Sequence, residues 1–517
     1  MNILRKPDKI QLQNEQESFF LGEKEGVSVD FALVSDCMDV VLSGKAPISF
    51  VKLRWYEKIP YDVRVYGDAV ERGYGDLGFR GITPERLMAW YTVLSRENGN
   101  VGCGVKVRPN AFCFWQVDQE GVTLWLDVRC GTKDFKLDGS LNLASIVFMK
   151  DDTADTFGFM KKFCAEMGDS PLIPDEPVYG SNNWYYSYGN SSHEQIISDT
   201  CLLCDLTSGL ENRPYMVIDD GWQLGSTCGQ CTGTLGCKTN EKFPDMKKLA
   251  DEIKALGAKP GLWLRPLKFS PEGKCPELAS VLDDTYIDPS CPKALEKIAA
   301  DVEKVTSQWG YRLIKFDFAT FDIFCKMQQS VSLDMAREEF AFRHNMTSAQ
   351  VVKGFYKTVF EHSNGAVIIG CNCIGHLGAG YFHIHRSGDD TSGFFWERTR
   401  KYGINTLAYR LPQHKAFFDV DADCVGILGE NIDWKLNSAW LELLSMSGTP
   451  LFVSAQPEAL NDEKKSAIRA AFKRASEQND DLRPAELFTT TPCNWIINGE
   501  EKVFSFSDVM GADRFGV

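Results

Sequence analysis

From residue 178 onward, short apolar runs alternate with amphipathic helical patterns, and no other feature narrows the possible folds as much. Eight runs read as strands: residues 178–185, 215–220, 259–265, 311–318, 366–372, 381–386, 416–421 and 450–454. Helical patterns lie between most of them. The first has Ser192 as N-cap, Gln195 three residues on and Gly209 just past its end. The second opens with Pro244 in its first turn and closes at Gly257. Residues 351–362 and 436–446 follow helical periodicity, and 462–478 supplies a last helix. Parallel strands need crossovers of about a dozen residues or more, usually helical. Eight strands joined this way predict an α/β chain built on a (β/α)8 TIM barrel. One crossover is irregular, because only the Gly-rich loop 374–380 separates the fifth and sixth strands.

Residues 1–170 have a different rhythm. Runs at 27–33, 38–42, 48–55, 90–95, 102–107, 111–117 and 122–128 recur between Gly, Asn and Asp breakers. Asn98-Gly99 and Glu120-Gly121 suit hairpin turns. This spacing predicts an N-terminal antiparallel β-sandwich domain. Residues 157–167 read as a helix leading into a Pro-containing linker at 170–177. The expected division is therefore a sandwich over 1–170, a barrel over 171–480 and a short C-terminal β-rich segment over 481–517.

Bulk properties exclude several function classes. A net charge of −15 argues against a nucleic-acid partner, whose phosphates require clustered Lys and Arg. No apolar run is long enough to span a bilayer, so no membrane partner is expected. The polar stretch 1–17 lacks a signal-peptide core. Together with cysteines scattered through apolar runs, it points to the cytoplasm. A leader removed beforehand, giving a periplasmic or secreted protein, is the alternative. Cys228, Cys231 and Cys237 share one loop, and His383 and His385 alternate beside Cys371 and Cys373. Neither group shows a full zinc spacing, and no metal or other cofactor is expected. The sequence leaves a homo-oligomer open.

Reactive groups in such barrels project from the C-terminal ends of strands. Four ends here carry unusual polar residues. The second strand ends in Asp219-Asp220-Gly221-Trp222, the third carries Trp263 and Arg265, and the fourth carries Lys315 and Asp317. The sixth runs into Arg386-Ser387-Gly388-Asp389-Asp390. Alternation puts Lys315 and Asp317 on one side of their strand and Ile314, Phe316 and Phe318 on the other. A lysine and an aspartate turned into a barrel interior must be paired or functional. Either a structural ion pair or an aspartate kept ionised by its lysine answers that demand. Adjacent carboxylates accept hydrogen bonds from vicinal sugar hydroxyls, and tryptophan faces stack on pyranoses, so Trp184, Trp222 and Trp263 suit a sugar subsite.

Asp219 to Gln223, Gly261-Leu262-Trp263, Lys315-Phe316-Asp317 and Arg386 to Thr391, in this order, resemble the α-galactosidases of glycoside hydrolase family 36 and their relatives in families 27 and 31. The resemblance spans roughly residues 25 to 460. It implies a retaining glycosidase with Asp317 as nucleophile and Asp390, four residues after Arg386, as general acid/base. Some family members place the acid directly after Ser or Thr, which favours Asp389. It further implies that Lys315 and Arg386 bind sugar hydroxyls, that Asp219 and Asp220 take the O4 and O6 region, and that Trp263 and Trp222 line the subsite, with Asp389 nearby. The substrate would be an oligosaccharide or glycoside. The end of the fifth strand, from Gly370 to Cys373, would lie near C2 and select among sugars. An α-N-acetylgalactosaminidase, a raffinose-synthase-like galactosyl transferase and a non-catalytic carbohydrate-binding protein are the alternatives.

Overall fold

The computed structural model describes all residues except 1, 75–76, 227–230, 282, 328–339, 342–344, 478–480, 508–509 and 514–517. Its central feature is a nine-stranded, wholly parallel sheet. In chain order the strands are β1 (Tyr179–Asn182), β2 (Tyr215–Ile218), β3 (Lys259–Leu264), β4 (Leu313–Phe316), β5 (Val367–Gly370), β6 (Ile384–Arg386), β7 (Asp419–Asp421), β8 (Cys424–Ile427) and β9 (Leu451–Ala455). They pair in the spatial order β7-β6-β5-β4-β3-β2-β1-β9-β8. The sheet curls until its two edge strands, β7 and β8, are joined by only Ala422 and Asp423. Asp423 takes the left-handed conformation at φ 72°, which an aspartate tolerates better than most residues. All eight strand expectations meet a strand, and β8 is additional. Residues 424–427 continue the apolar pattern after a two-residue break, so periodicity alone does not separate them.

The crossovers are helical where the sequence expected helices. Ser192 caps His193–Leu206 by accepting from the Gln195 amide at 3.3 Å. Asp245 caps Met246–Leu256, so Pro244 precedes the cap instead of lying in the first turn, and Gly257 ends the helix at φ 97°. Ser348–Glu361 opens with a capping box between Thr347 and Gln350. Trp434–Ser445 and Asp462–Ala475 follow β8 and β9. Between β5 and β6 there is only the single turn Gly375–Gly378. The outward face of β4 shows why its alternation is so clear. Phe316 packs against Phe355, Tyr356 and Phe382, while Lys315 points inward to Asp219.

The N-terminal region forms one continuous antiparallel sheet of eleven strands. The seven sequence-expected runs appear as Val27–Val34, Cys37–Gly44, Phe50–Tyr56, Met88–Arg96, Gly99–Val105, Phe112–Asp118 and Gly121–Asp127. Lys9–Gln13, Ser18–Phe20, Arg64–Asp68 and Ser140–Asp151 complete it. The helix Thr156–Met167 lies on this sheet where Gly102 and Gly104 leave room for Phe163; a Cβ at Gly102 would sit 2.7 Å from that ring. Leu482–Pro484, Asn494–Ile497 and Glu500–Val503 form a small antiparallel sheet at the C-terminal end. No helix among the described residues is long and apolar enough to cross a membrane.

Candidate active site

The C-terminal ends of β1 to β6 bring together a compact set of charged and amide side chains. Asp317 follows β4 and is 7% exposed. Its Oδ2 accepts from Trp263 Nε1 at 3.2 Å and its Oδ1 from the Phe318 amide at 2.6 Å. Asn372, at the end of β5, donates its Nδ2 to Oδ1 as well. Burial pushes the Asp317 carboxyl up, but the charges of Lys315 and Arg72 and the Asn372 amide bring it below the usual carboxylate range. The negative charge of Asp390 acts on it in the opposite direction, so the two carboxylates share one electrostatic neighbourhood.

Lys315 and Asp317 share a strand face, yet the lysine bonds elsewhere. Its Nζ lies 2.7 Å from Asp219 Oδ2. Asp219 also accepts from Asn182 Nδ2 at 2.7 Å and, through Oδ1, from the Asp220 amide at 2.9 Å. Its own amide donates to Asn183 Oδ1 at 2.7 Å. Asp219 is thus a brace between β1, β2 and β4. Asp220 is oriented differently. Its Oδ1 accepts from Gln223 and from Ser226, the latter at 3.1 Å, and its buried Oδ2 has no nitrogen or oxygen partner among the described residues. Burial raises the Asp220 carboxyl, against the lowering effect of the Cys231 thiol and the Gln223 amide.

Arg386 is buried at the end of β6. One Nη contacts Asp390 at 3.1 Å and the other Asp423 at 3.0 Å. Asp423 is held further by the Tyr185 hydroxyl and by the Thr391 amide at 2.8 Å. Asp390 keeps 40% of its side chain open to solvent. Burial acts upward, but Arg386, Arg72 and Lys315 outweigh it and hold the Asp390 carboxyl below its ordinary value. Asp389 turns away from Arg386 and pairs with Arg72 at 3.2 Å and Arg398 at 3.3 Å.

The tryptophans divide. Trp263 touches Asp317 directly. Trp184 is partly buried and packs against Tyr188, which in turn meets Phe394. Trp222 is wholly buried, donates to the Trp263 carbonyl at 2.9 Å and sits edge-on to Trp309. It belongs to the core behind the sheet, and the expectation that it faces a sugar is corrected. Arg265 also turns from the cleft, pairing with buried Asp322 at 2.6 Å beneath the loop that carries Cys231.

Several site residues escaped the sequence reading. Asn182 and Asn183 are strand-end amides, detectable as polar residues at the C-terminal ends of buried runs, whereas Asn372 falls within the Gly370 to Cys373 stretch that the resemblance placed near the sugar. Arg72 had no such signal. It comes from the antiparallel sheet's loop after Arg64–Asp68, in a stretch whose only mark is glycine. The His383 and His385 neighbourhood is ordinary packing, whereas Cys371 Sγ accepts from Arg386 Nη1 at 3.7 Å and belongs to the cleft. His383 Nδ1 accepts from the Ile368 amide at 3.1 Å, and His385 lies against Phe382 and Phe418. Cys228 lies outside the described residues, among which no three His, Cys, Asp or Glu side chains converge as metal ligands. A cavity of about 410 Å³ on the antiparallel sheet, lined by Asp62, Arg96 and Asp151 among others, shares no residue with the cleft.

No protein-family model and no curated protein matches this sequence. Solved structures do. An α-galactosidase from Thermus thermophilus, TtGalA, in complex with p-nitrophenyl α-D-galactopyranoside, aligns over 96% of this chain and 98% of its own, with TM-score 0.63 and 16% identity. Two family 36 α-galactosidases from Geobacillus stearothermophilus, AgaA and AgaB, each align over 91% of this chain and 75% of their own. Their TM-scores are 0.59 and 0.58, at 13% and 14% identity. Across nearly its whole length, the chain shares the fold of the family 36 α-galactosidases.

Proposed function

We propose that the protein is a retaining α-glycoside hydrolase acting on terminal α-galactosides, with Asp317 as nucleophile and Asp390 as general acid/base. The observation that carries this reading is the state of Asp317. A buried carboxylate is fixed by Trp263, Asn372 and the Phe318 amide, held ionised by neighbouring cations, and set in the same field as a second, more open carboxylate. A merely structural aspartate would be expected to pair directly with Lys315, which instead braces Asp219. The galactoside complexes of TtGalA, with p-nitrophenyl α-galactoside and with stachyose, support the choice of sugar.

In the proposed reaction Asp317 attacks the anomeric carbon while Asp390 gives its proton to the departing glycosidic oxygen. The C1–O bond breaks and a glycosyl ester forms on Asp317. Water, deprotonated by Asp390, then attacks C1 and releases the sugar with its original anomeric configuration. Asp390 must be protonated for the first step. In the unliganded site the arginines oppose that, so the substrate-bound site must weaken their hold. Asp220, whose Oδ2 has no nitrogen or oxygen partner among the described residues, is the acid proposed to take sugar hydroxyls, assisted by Asp219, Lys315 and Arg386. Trp263 lines the same subsite, and Asp389 lies on the leaving-group side.

The same reading treats the curled sheet as a closed (β/α)8 barrel, with Asp419 to Ile427 as one broken strand. It treats the eleven-stranded sheet as folded over into a sandwich, with divisions near residues 170 and 480.

The test is a screen against 4-nitrophenyl α-galactoside, 4-nitrophenyl α-N-acetylgalactosaminide and raffinose, with the first product anomer read by NMR. Release of α-galactose is expected, and Asp317→Asn should abolish it without unfolding the protein. Wild-type rates in Asp317→Asn would refute the assignment. Sugar binding without turnover would favour a binding protein.

A further inference from the structure

We infer that Arg72, carried into the cleft by the antiparallel sheet, is the positioning residue of the acid/base carboxylate. The inference rests on the reaction proposed above and extends it to a residue outside the parallel sheet.

The first argument is geometric. Arg72 has only 4% of its side chain exposed, and its Nη atoms reach both members of the aspartate pair. Nη2 lies 3.2 Å from Asp389 Oδ1 and Nη1 lies 3.6 Å from Asp390 Oδ1. Arg386 holds the same Asp390 oxygen at 3.1 Å. A planar guanidinium bridging two adjacent carboxylates fixes their relative orientation, which a point-charge ammonium does less well.

The second argument is that the segment delivering Arg72 is tied down on the β6 side. Arg410 pairs with Asp68 at 3.0 Å and donates to the carbonyls of Glu71 at 2.5 Å and Ser387 at 3.2 Å. Gln413 donates to Asp68 at 2.7 Å. The Gly73 amide donates to the Ser387 carbonyl at 2.7 Å. Trp90 Nε1 holds the Val70 carbonyl at 3.2 Å. Ser387 lies just two residues before Asp389. The backbone carrying Arg72 and the backbone carrying its carboxylate partners are therefore directly hydrogen-bonded, as a fixed pairing requires.

Asp390 is faced by charged and titratable groups from every surrounding element. Arg386 and Asp389 lie on its own strand end, Arg398 in the segment that follows Asp390, Lys315 and Asp317 on the strand end of β4, Tyr185 and Tyr188 after β1, and Asp423 after β7. Arg72 is the cation that the antiparallel sheet adds to this set.

The test compares Arg72→Met and Arg72→Lys on 4-nitrophenyl α-galactoside, whose leaving group needs little protonation, and on methyl α-galactoside, which needs it fully. Loss of aim at the acid predicts a fall in kcat/KM of about 10²-fold on the methyl glycoside, within the range general acid catalysis supplies. The fall on the aryl glycoside should be far smaller. Removing the positive charge also raises Asp390, so the alkaline limb of kcat/KM should move to higher pH in Arg72→Met and stay in place in Arg72→Lys. Equal losses on both substrates with unmoved limbs, in whichever of the two variants folds, would overturn the inference while leaving the glycosidase intact. A wild-type protein inactive on both glycosides would overturn the proposed reaction and this inference with it.

Discussion

Lys315 Nζ lies 2.7 Å from Asp219 Oδ2, reaching from β4 past β3 to the end of β2, although Asp317 stands two residues along the lysine's own chain segment. The ion pair is nearly dry, with the lysine side chain 12% and the aspartate 4% exposed. Among the described residues no cation bonds Asp317 directly, while a positive charge stays close by. A nucleophile needs that combination, since a tight ion pair would blunt the lone pair that must attack.

Lys315→Met should therefore act twice. It strands Asp219 as a buried, unpaired charge, which costs on the order of 3–5 kcal/mol. It also removes a cation that lowers Asp317, so the acid limb of kcat/KM should move to higher pH. Thermal unfolding and a pH profile measure the two effects separately. An unshifted acid limb would show that the lysine does not govern the nucleophile.

Asp389 and Asp390 can be told apart by chemical rescue. Asp390→Gly should lose far more activity on alkyl than on aryl galactosides. Added azide should restore turnover and give α-galactosyl azide, because the anion attacks the covalent intermediate from the face that water uses. Asp389→Gly should show no rescue. The reverse pattern would move the acid/base role one residue.

Gly426 on β8 faces Gly393 three residues after Asp390. A Cβ at Gly426 would fall 2.7 Å from Gly393 Cα, a backbone atom with nowhere to go. Gly426→Ala should displace the loop and lower kcat more than KM worsens, at a stability cost of about 1–3 kcal/mol. Unchanged kcat would mean that the loop does not need this backing.

Buried aspartates should make stability depend on pH below neutrality. Burial raises Asp199, Asp301, Asp322 and Asp421 each to about 6. The folded state therefore binds more protons than the unfolded chain between roughly pH 4 and 6, and stability falls as pH rises through that window, by on the order of 2 kcal/mol per group. Asp317 and Asp390 have the opposite sign. Their contribution is present above the unfolded pKa near 4 and is lost as pH falls through their depressed values. Burial lowers His376 and His383 to about 4 and His385 to about 3, and these rings act in the opposite direction, their contribution being lost as pH falls below the unfolded value near 6.5. Asp199→Asn, whose carbonyl can still accept from Tyr186, removes one aspartate from this balance. Calorimetry should find its midpoint, relative to wild type, better at pH 7.5 than at pH 5. An unchanged difference would contradict this account.

The parallel strands were legible because each must be apolar on both faces, and a lysine at 315 stands out against such a background. The β4 alternation gave the facing of Lys315 and Asp317 correctly. It could not give their partners, because alternation fixes the side of a strand and says nothing about which neighbour a long side chain chooses. Trp222 was misread for a related reason. It follows Asp219 and Asp220 closely in sequence, but the chain has already left the strand, and the indole turns into the packing beneath. Ser140–Asp151 went unseen although it is the longest strand of its sheet, since Asn142 and the register shift beside it interrupt its alternation. Arg72 was invisible because its role depends on two parts of the chain more than 300 residues apart.

The break between β7 and β8 has a mechanical meaning. It is the seam along which the curled sheet would open, and Asp423 is its rivet. The carboxylate at the seam accepts from Tyr185 and Thr391 and holds Arg386, the arginine that grips Asp390. Any breathing at the seam is therefore felt at the acid, and any pull on the acid is felt at the seam. A ligand that tightens the cleft should tighten the whole ring of strands with it.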